Sequence, residues 1–205
     1  MLLDFIRHGE SEANLLNEFS NGLGKHPLTE KGRQQALELA QRLKGTPIAA
    51  GYTSPVLRAV QTAEILGAEL GVECQVADAL REFDVGILEG RSDEAAWQQF
   101  KQLFRAWMAG RDLEQRIEGG ESFLDIQRRF VPFVEGLLQQ YTGSAAHLLL
   151  VGHGGTYRCM LPLILRNIDF AYALQHGLGN TAVVRAETTP GGLMCRQWGE
   201  EPIGG

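Results

Sequence analysis

The chain has 205 residues, 44% of them apolar and 21% charged, with a net charge of −6. That is enough chain for one full core, in the proportions of an ordinary soluble globular protein. The acidic balance argues against nucleic-acid or anionic-membrane binding, but a local cluster of arginines can still hold a small anion.

Cys74, Cys159 and Cys195 are widely separated, and no CxxC is present. They read as reduced thiols in a cytoplasmic protein. No basic segment precedes a long apolar stretch at the start, so no signal peptide is expected. Arg7 and His8 interrupt the first apolar run far short of a membrane span.

Residues 1–7 form an apolar run that reads as a buried strand, and the polar stretch "NEFSNGLGKHPLTEKG" after it reads as a loop. Ala36, Leu39, Ala40 and Leu43 recur at the spacing of one helix face, with Thr29 placed to cap the start and Gly45 the end. "PIAAGYTSP" is a second strand. It runs into Ser54-Pro55, a cap followed by proline, and then a helix that Gly71 closes. That helix carries Arg58 one turn in. "VECQVADAL" reads as a third strand ending at Arg81-Glu82.

A helix is expected from Ser92 to Met108, with apolar positions at Trp97, Phe100, Leu103, Phe104 and Trp107, and a loop follows it. Ser122 and Asp125 resemble a capping box for the next helix, inside which Pro132 should produce a kink or a break. "HLLLV" is the clearest buried strand, and "GHGG" and another helix follow it. "TAVVRAETTPGGLMCRQWG" reads as a hairpin. Strands alternating with helices predict an α/β fold: a mainly parallel central sheet with helices on both faces and an antiparallel hairpin at the C-terminal end.

"LDFIRHGES" and "LLLVGHGGT" share one design, an apolar strand followed by His-Gly. In such sheets ligands lie beyond the carboxyl ends of the strands, which puts His8 and His153 on one rim. A glycine after each histidine allows a sharp turn and close approach to a ligand. Arg7, Arg58 and Glu82 come from strand ends on the same rim. Two arginines suit a tetrahedral oxyanion, a histidine can attack phosphorus, and a carboxyl group can move the proton. Phosphoryl transfer is mostly positioning and charge stabilisation, so no metal is required.

A metal bound by His8, His153 and Glu82 is the competing reading. Arg7 beside His8 disfavours a dication, and no HExxH spacing exists. "GHGGTY" lacks the third glycine of a dinucleotide fingerprint, and no P-loop is present.

Together these residues resemble the histidine phosphatase superfamily, the phosphoglycerate mutase-like family. The resemblance rests on Arg7-His8-Gly9-Glu10-Ser11 with Asn14, then "HPLTEKGRQQA", "YTSPVLRAVQTA", "LREFDVGILEGRS", "GGES" and "LLLVGHGG", in the family's order along nearly the whole chain. It implies one domain over 1–205, with 92–118 a helical and loop insertion over the active site.

It further implies that His8 is the nucleophile and Glu82 the proton donor and acceptor. Arg7, Arg58 and His153 would form the phosphate pocket, and Asn14 and the backbone N–H of Gly154 would support it. No cofactor and no metal are implied. The expected partner is a small phosphate ester, and a homo-oligomer is left open.

The family contains phosphatases and cofactor-dependent mutases. Its mutases carry a proline-rich, arginine-bearing insertion, whereas residues 92–118 here hold no proline. A metal-independent phosphomonoesterase is therefore expected, with a phosphoglycerate mutase as the alternative and a weakly catalytic phosphate-binding module as a third reading. Helical spacing assigns the rings of Trp97, Phe100, Phe104 and Trp107 to packing, although the family's use of this region as a cover would turn some toward the leaving group. Lys25 and His26 occupy the loop where relatives meet substrate, and they read either as solvated or as contacts to a second anionic group.

Overall fold

In the computed structural model, which describes residues 1–204, β1 (Leu2–Arg7) is followed by the short α1 (Glu12–Leu16), then α2 (Glu30–Leu43), β2 (Ala50–Thr53), α3 (Leu57–Leu70) and β3 (Cys74–Val76). Beyond two 3₁₀ turns come α4 (Glu94–Met108), α5 (Phe123–Gln140), β4 (His147–Gly152) and α6 (Gly154–Ile164). The chain ends with α7 (Phe170–Gln175), β5 (Val183–Thr189), β6 (Gly192–Trp198) and β7 (Glu201–Pro202).

One seven-stranded sheet runs in the order β3-β2-β4-β1-β5-β6-β7. β3, β2, β4 and β1 are parallel, and β5, β6 and β7 add on antiparallel. Every residue of β4 is buried, which explains its unbroken apolar run. Ile6, Leu149 and Val151 pack under α2 and α3 on one face. Phe5, Leu148 and Leu150 join Phe130 of α5 and Tyr157 of α6 on the other. This is the α/β arrangement expected. Among the described residues no helix is long and apolar enough to cross a membrane.

Several local expectations are corrected. β3 spans only Cys74–Val76, and a 3₁₀ turn over Asp78–Leu80 carries the chain on to Glu82. α3 starts at Leu57 with Val56, not Ser54, as its cap residue, so Arg58 is its second residue; Ser54 Oγ accepts the Val56 N–H at 3.2 Å ahead of the helix. α5 runs unbroken through Pro132. Proline removes the bond to the Arg128 carbonyl, but both residues are exposed, so water can satisfy that oxygen. α1, α7 and β7 were not anticipated; each is six residues or shorter, too little for a periodic pattern.

Candidate active site

β1 and β4 are neighbours in register, with Arg7 opposite Gly152. The His8 N–H extends this ladder by donating to the Gly152 carbonyl at 3.0 Å. His8 and His153 therefore leave adjacent strand ends together, their ring centroids 5.1 Å apart. Gly9 serves packing rather than a ligand: a Cβ there would run into the backbone carbonyl of Gly32 in α2.

His8 is 3% exposed. Its Nδ1 lies 2.7 Å from the Gly9 carbonyl, and its Nε2 lies 3.0 Å from Nε of Arg58. A carbonyl only accepts and a guanidinium only donates, so the proton sits on Nδ1 and the Nε2 lone pair faces Arg58. Burial, then the charges of Arg58 and Arg7, holds the His8 pKa well below the ordinary histidine value. The ring is therefore a neutral base with an available nitrogen lone pair.

Arg58 ties the cluster together. Its Nη1 donates to the Ser20 carbonyl at 2.7 Å and its Nη2 to Nδ1 of His153 at 3.3 Å. Burial pulls its pKa down to about 10, against the attraction of Glu82. With its Nδ1 accepting, His153 donates Nε2–H to Ser54 Oγ at 2.8 Å. Ser54 Oγ thus meets both a rim histidine and the Val56 N–H, at 3.2 Å, just ahead of α3. His153 is fully buried, and its pKa is likewise well below the ordinary value, through burial first and then Arg58, His8 and Arg7.

The N-terminus of α6 holds Glu82. Oε1 accepts from the Thr156 N–H at 2.7 Å, from Thr156 Oγ1 at 2.8 Å and from the Phe83 N–H at 3.3 Å. Oε2 accepts only from the Gly155 N–H, at 3.0 Å. A carboxylate oxygen has two lone-pair sites, so Oε2 is the oxygen with capacity left. A Cβ on Gly155 would sit 2.8 Å from it, so glycine there is what lets the carboxylate approach the helix end.

A cavity of about 310 Å³ opens over these groups. Of the residues singled out from the sequence, Arg7, His8, Asn14, Arg58, Glu82 and Gly154 line it. His153 does not; it stands behind Arg58 and reaches the cavity only through that guanidinium. Arg7 donates Nη1–H to the Leu178 carbonyl at 2.6 Å, and burial lowers its pKa against the pull of Glu82. Asn14 Oδ1 is occupied by Ser11 and Asn180, which leaves the NH₂ end of the amide to serve a ligand.

Sequence reasoning missed Ser20, Asn21 and Arg158 on the wall. Ser20 Oγ is a buried polar atom with no hydrogen-bond partner. The first two lie in an irregular loop with no periodic signal, and Arg158 lies on a helix face that reads only as amphipathic. Of the aromatic stripe, Trp97, Phe100 and Phe104 reach the cavity, while Trp107 is 1% exposed in the core. Lys25 and His26 do not line the cavity. His26 instead places Nε2 3.1 Å from Glu18. No group of three or more potential metal ligands occurs among the described residues.

Comparison with known proteins gives concordant results. Residues 3–201 match the model of the histidine phosphatase superfamily, branch 1. A protein of Cronobacter sakazakii named "Probable phosphoglycerate mutase GpmB" is 34% identical over 205 residues, covering 97% of this chain and 90% of that one. Mycobacterial glucosyl-3-phosphoglycerate phosphatase, solved with VO3, superposes with a TM-score of 0.83 at 25% identity, over 98% of this chain and 99% of that one. The α-ribazole phosphatase of Shigella flexneri shares the fold at a TM-score of 0.79 and 23% identity, over 100% and 98% of the two chains. With the paired His-Gly strand ends and a family match across nearly its whole length, the chain belongs to the histidine phosphatase superfamily, branch 1.

Proposed function

We propose that the protein is a metal-independent, histidine acid-type phosphatase that hydrolyses a small phosphomonoester through a phosphohistidine. One observation carries this reading: the buried His8 turns the lone pair of Nε2 to Arg58 at 3.0 Å, on the wall of a cavity that Arg7 also lines. The arginines supply the positive charge that a metal supplies elsewhere.

As the phosphoryl group enters, its oxygens take over donors from Arg58 and Arg7, and the His8 lone pair is released from Arg58. Nε2 attacks phosphorus in line, the N–P bond forms and the ester P–O bond breaks. Glu82 in its protonated form gives the proton from Oε2 to the departing alkoxide. The Nδ1–H of His8 keeps its bond to the Gly9 carbonyl, which spreads the positive charge of the phosphohistidine. Water then attacks phosphorus, Glu82 takes its proton, and the N–P bond breaks to return neutral His8 and inorganic phosphate. Asn14 and Ser20 Oγ add donors to the phosphoryl oxygens. His153 acts by holding Arg58, and residues 92–118 cover the site within one domain.

The relative named a mutase supports a second reading, in which the phosphoryl group passes to another hydroxyl instead of to water. The resemblance to a phosphatase solved with VO3, together with an aromatic cover lacking proline, favours water. The test is rapid-quench labelling with a ³²P-phosphomonoester, run beside a phosphoglycerate mutase assay primed with bisphosphoglycerate. An acid-labile phosphoenzyme that His8→Ala abolishes, with phosphate as the main product, is expected. Labelling that survives His8→Ala, or fast isomerisation with little phosphate release, overturns the proposal.

A further inference from the structure

The stretch Gly119-Gly120-Glu121-Ser122 is a marked feature of the sequence, yet it takes no part in the proposed steps. Ser122 has a local task, capping α5 together with Asp125. Glu121 does not line the cavity. Its side chain is only 12% exposed, and every bond it makes lies toward the turn that carries Glu82 or the arginine of α5 beside it.

Two stretches of chain run side by side here. The Glu121 N–H donates to the Asp84 carbonyl at 2.9 Å, and the Ile87 N–H to the Glu118 carbonyl at 2.9 Å. A Cβ on Gly120 would lie 2.5 Å from the Asp84 carbonyl oxygen, so this approach needs glycine.

The Glu121 carboxylate closes the clamp. Its Oε1 accepts from Nη2 of Arg81 at 2.8 Å and from Nε of Arg129 at 3.0 Å. Its Oε2 accepts from the backbone N–H of Asp84 at 3.0 Å and from Nη2 of Arg129 at 3.1 Å. Arg129, so oriented, donates Nη1–H to the carbonyls of Ala79 and Arg81, at 2.8 and 3.0 Å. Arg81 and Asp84 bracket Glu82 and Phe83, and both are gripped by one carboxylate and the arginine it holds.

The same contacts direct charge. Arg81 is the neighbour of Glu82 in the chain, and its guanidinium is engaged by Glu121 and Asp78. Glu82 accepts only from the uncharged donors of Phe83, Gly155 and Thr156. A charge-assisted bond from Arg81 would favour the ionised carboxylate, the wrong state for giving up a proton.

We propose that Glu121 is a positioning residue for the acid–base step: it fixes the turn that carries Glu82 and keeps Arg81 from pairing with that carboxylate, so that Oε2 stays open to the leaving oxygen. This rests on Glu82 being the proton donor, and the test separates the two.

Glu121→Gln keeps the volume but offers one acceptor oxygen where two are used. Ethyl phosphate, whose alkoxide needs a proton, is compared with the nitrophenolate burst from 4-nitrophenyl phosphate, which needs none. In Glu121→Gln, kcat for ethyl phosphate should fall by roughly 10–10²-fold, the upper figure being what a misplacement of about 1 Å costs. The burst rate and the KM for ethyl phosphate should stay near the parent values, because Arg7, His8 and Arg58 are untouched. Loss of folded protein would lower both activities alike. Arg129→Met frees the Arg81 carbonyl but leaves Glu121 with Arg81; it should show the same split to a smaller degree, and it carries the test if Glu121→Gln does not fold.

In a Glu82→Gln background, Glu121→Gln should cost ethyl phosphate hydrolysis nothing further, because it acts through Glu82. Equal slowing of the two substrates by Glu121→Gln, or a full further loss in the Glu82→Gln background, overturns the positioning role and leaves the assignment of Glu82 intact. Equal slowing of both substrates by Glu82→Gln alone removes the proton donor, and the positioning role falls with it.

Discussion

Arg58 donates its Nε–H to the Nε2 of His8 at 3.0 Å while its other nitrogens hold the Ser20 carbonyl and His153. One guanidinium therefore fixes the tautomer of the candidate nucleophile and stands ready as a donor to what that nucleophile attacks. A lysine ammonium has no planar fork and cannot keep all three contacts. Arg58→Ala should lower kcat by roughly 10²–10³-fold, the usual cost of one transition-state donor, and Arg58→Lys should recover little of it. Steady-state kinetics on a phosphomonoester decide the point; a kcat near the parent value in Arg58→Lys would remove Arg58 from the transition state.

Glu82 is assigned a proton, and that assignment has a leaving-group signature. Glu82→Gln keeps the shape and the acceptor for Thr156 but cannot donate an acidic proton. Hydrolysis of an alkyl phosphate should fall roughly 10²–10⁴-fold, the range of general acid–base catalysis. 4-Nitrophenyl phosphate loses an anion that needs no proton, so the variant should still show a fast nitrophenolate burst in stopped flow, followed by slow turnover. Equal slowing of the burst and of alkyl ester hydrolysis would place Glu82 in another role.

Much of this site was legible in the sequence because its residues sit at strand ends, where an apolar run stops abruptly. Arg7-His8 and Gly152-His153 are such places, and Arg58 and Glu82 follow the next strands within a few residues. What could not be read is how the groups stack in depth. Nothing in "VGHGG" says that His153 stands behind Arg58, out of the cavity, because that depends on Ser54 drawing its Nε2–H away. Ser54-Pro55 reads as a helix cap, but the cap residue is Val56, and the local pattern does not show that the Ser54 hydroxyl also takes His153. Ser20 and Asn21 lie in an irregular loop, and only tertiary packing brings them to the wall.

The two rim histidines should make the protein acid-labile before its carboxylates titrate. Burial, assisted by nearby arginines, holds both His8 and His153 well below the ordinary histidine pKa of about 6.5. Below that value the unfolded chain takes up protons on both rings that the native state does not. Stability is therefore complete above pH 6.5 and declines as pH falls beneath it, with a slope of up to about 2.7 kcal/mol per pH unit for two such groups. The urea midpoint should drop between pH 7 and pH 5 with an unchanged m-value. His8→Gln should reduce the drop by about half if the two contributions are equal. A midpoint that stays level over this range would mean that the rings are not buried neutral.

The last prediction concerns stability away from the cavity. Asp4 is fully buried in the middle of β1. Arg185 of β5 holds both of its oxygens, at 2.7 and 2.8 Å, and His147 at the start of β4 lies 2.9 Å from one of them. Burial alone would raise the Asp4 pKa, but the hydrogen bonds from Arg185 and then His147 outweigh it and hold the carboxyl below its usual value. Removing one partner of a buried pair strands the other charge. Arg185→Ala should therefore destabilise the fold by roughly 3 kcal/mol, the lower end of the usual cost because the arginine is itself about a third exposed. Asp4→Asn in the same background should cost much less than it does alone, since the charge that needed a partner is gone. The double-mutant cycle in urea measures that coupling directly. Additive effects of the two changes would show that Asp4 and Arg185 do not depend on one another, and phosphomonoester turnover should stay near the parent value in all three variants that still fold.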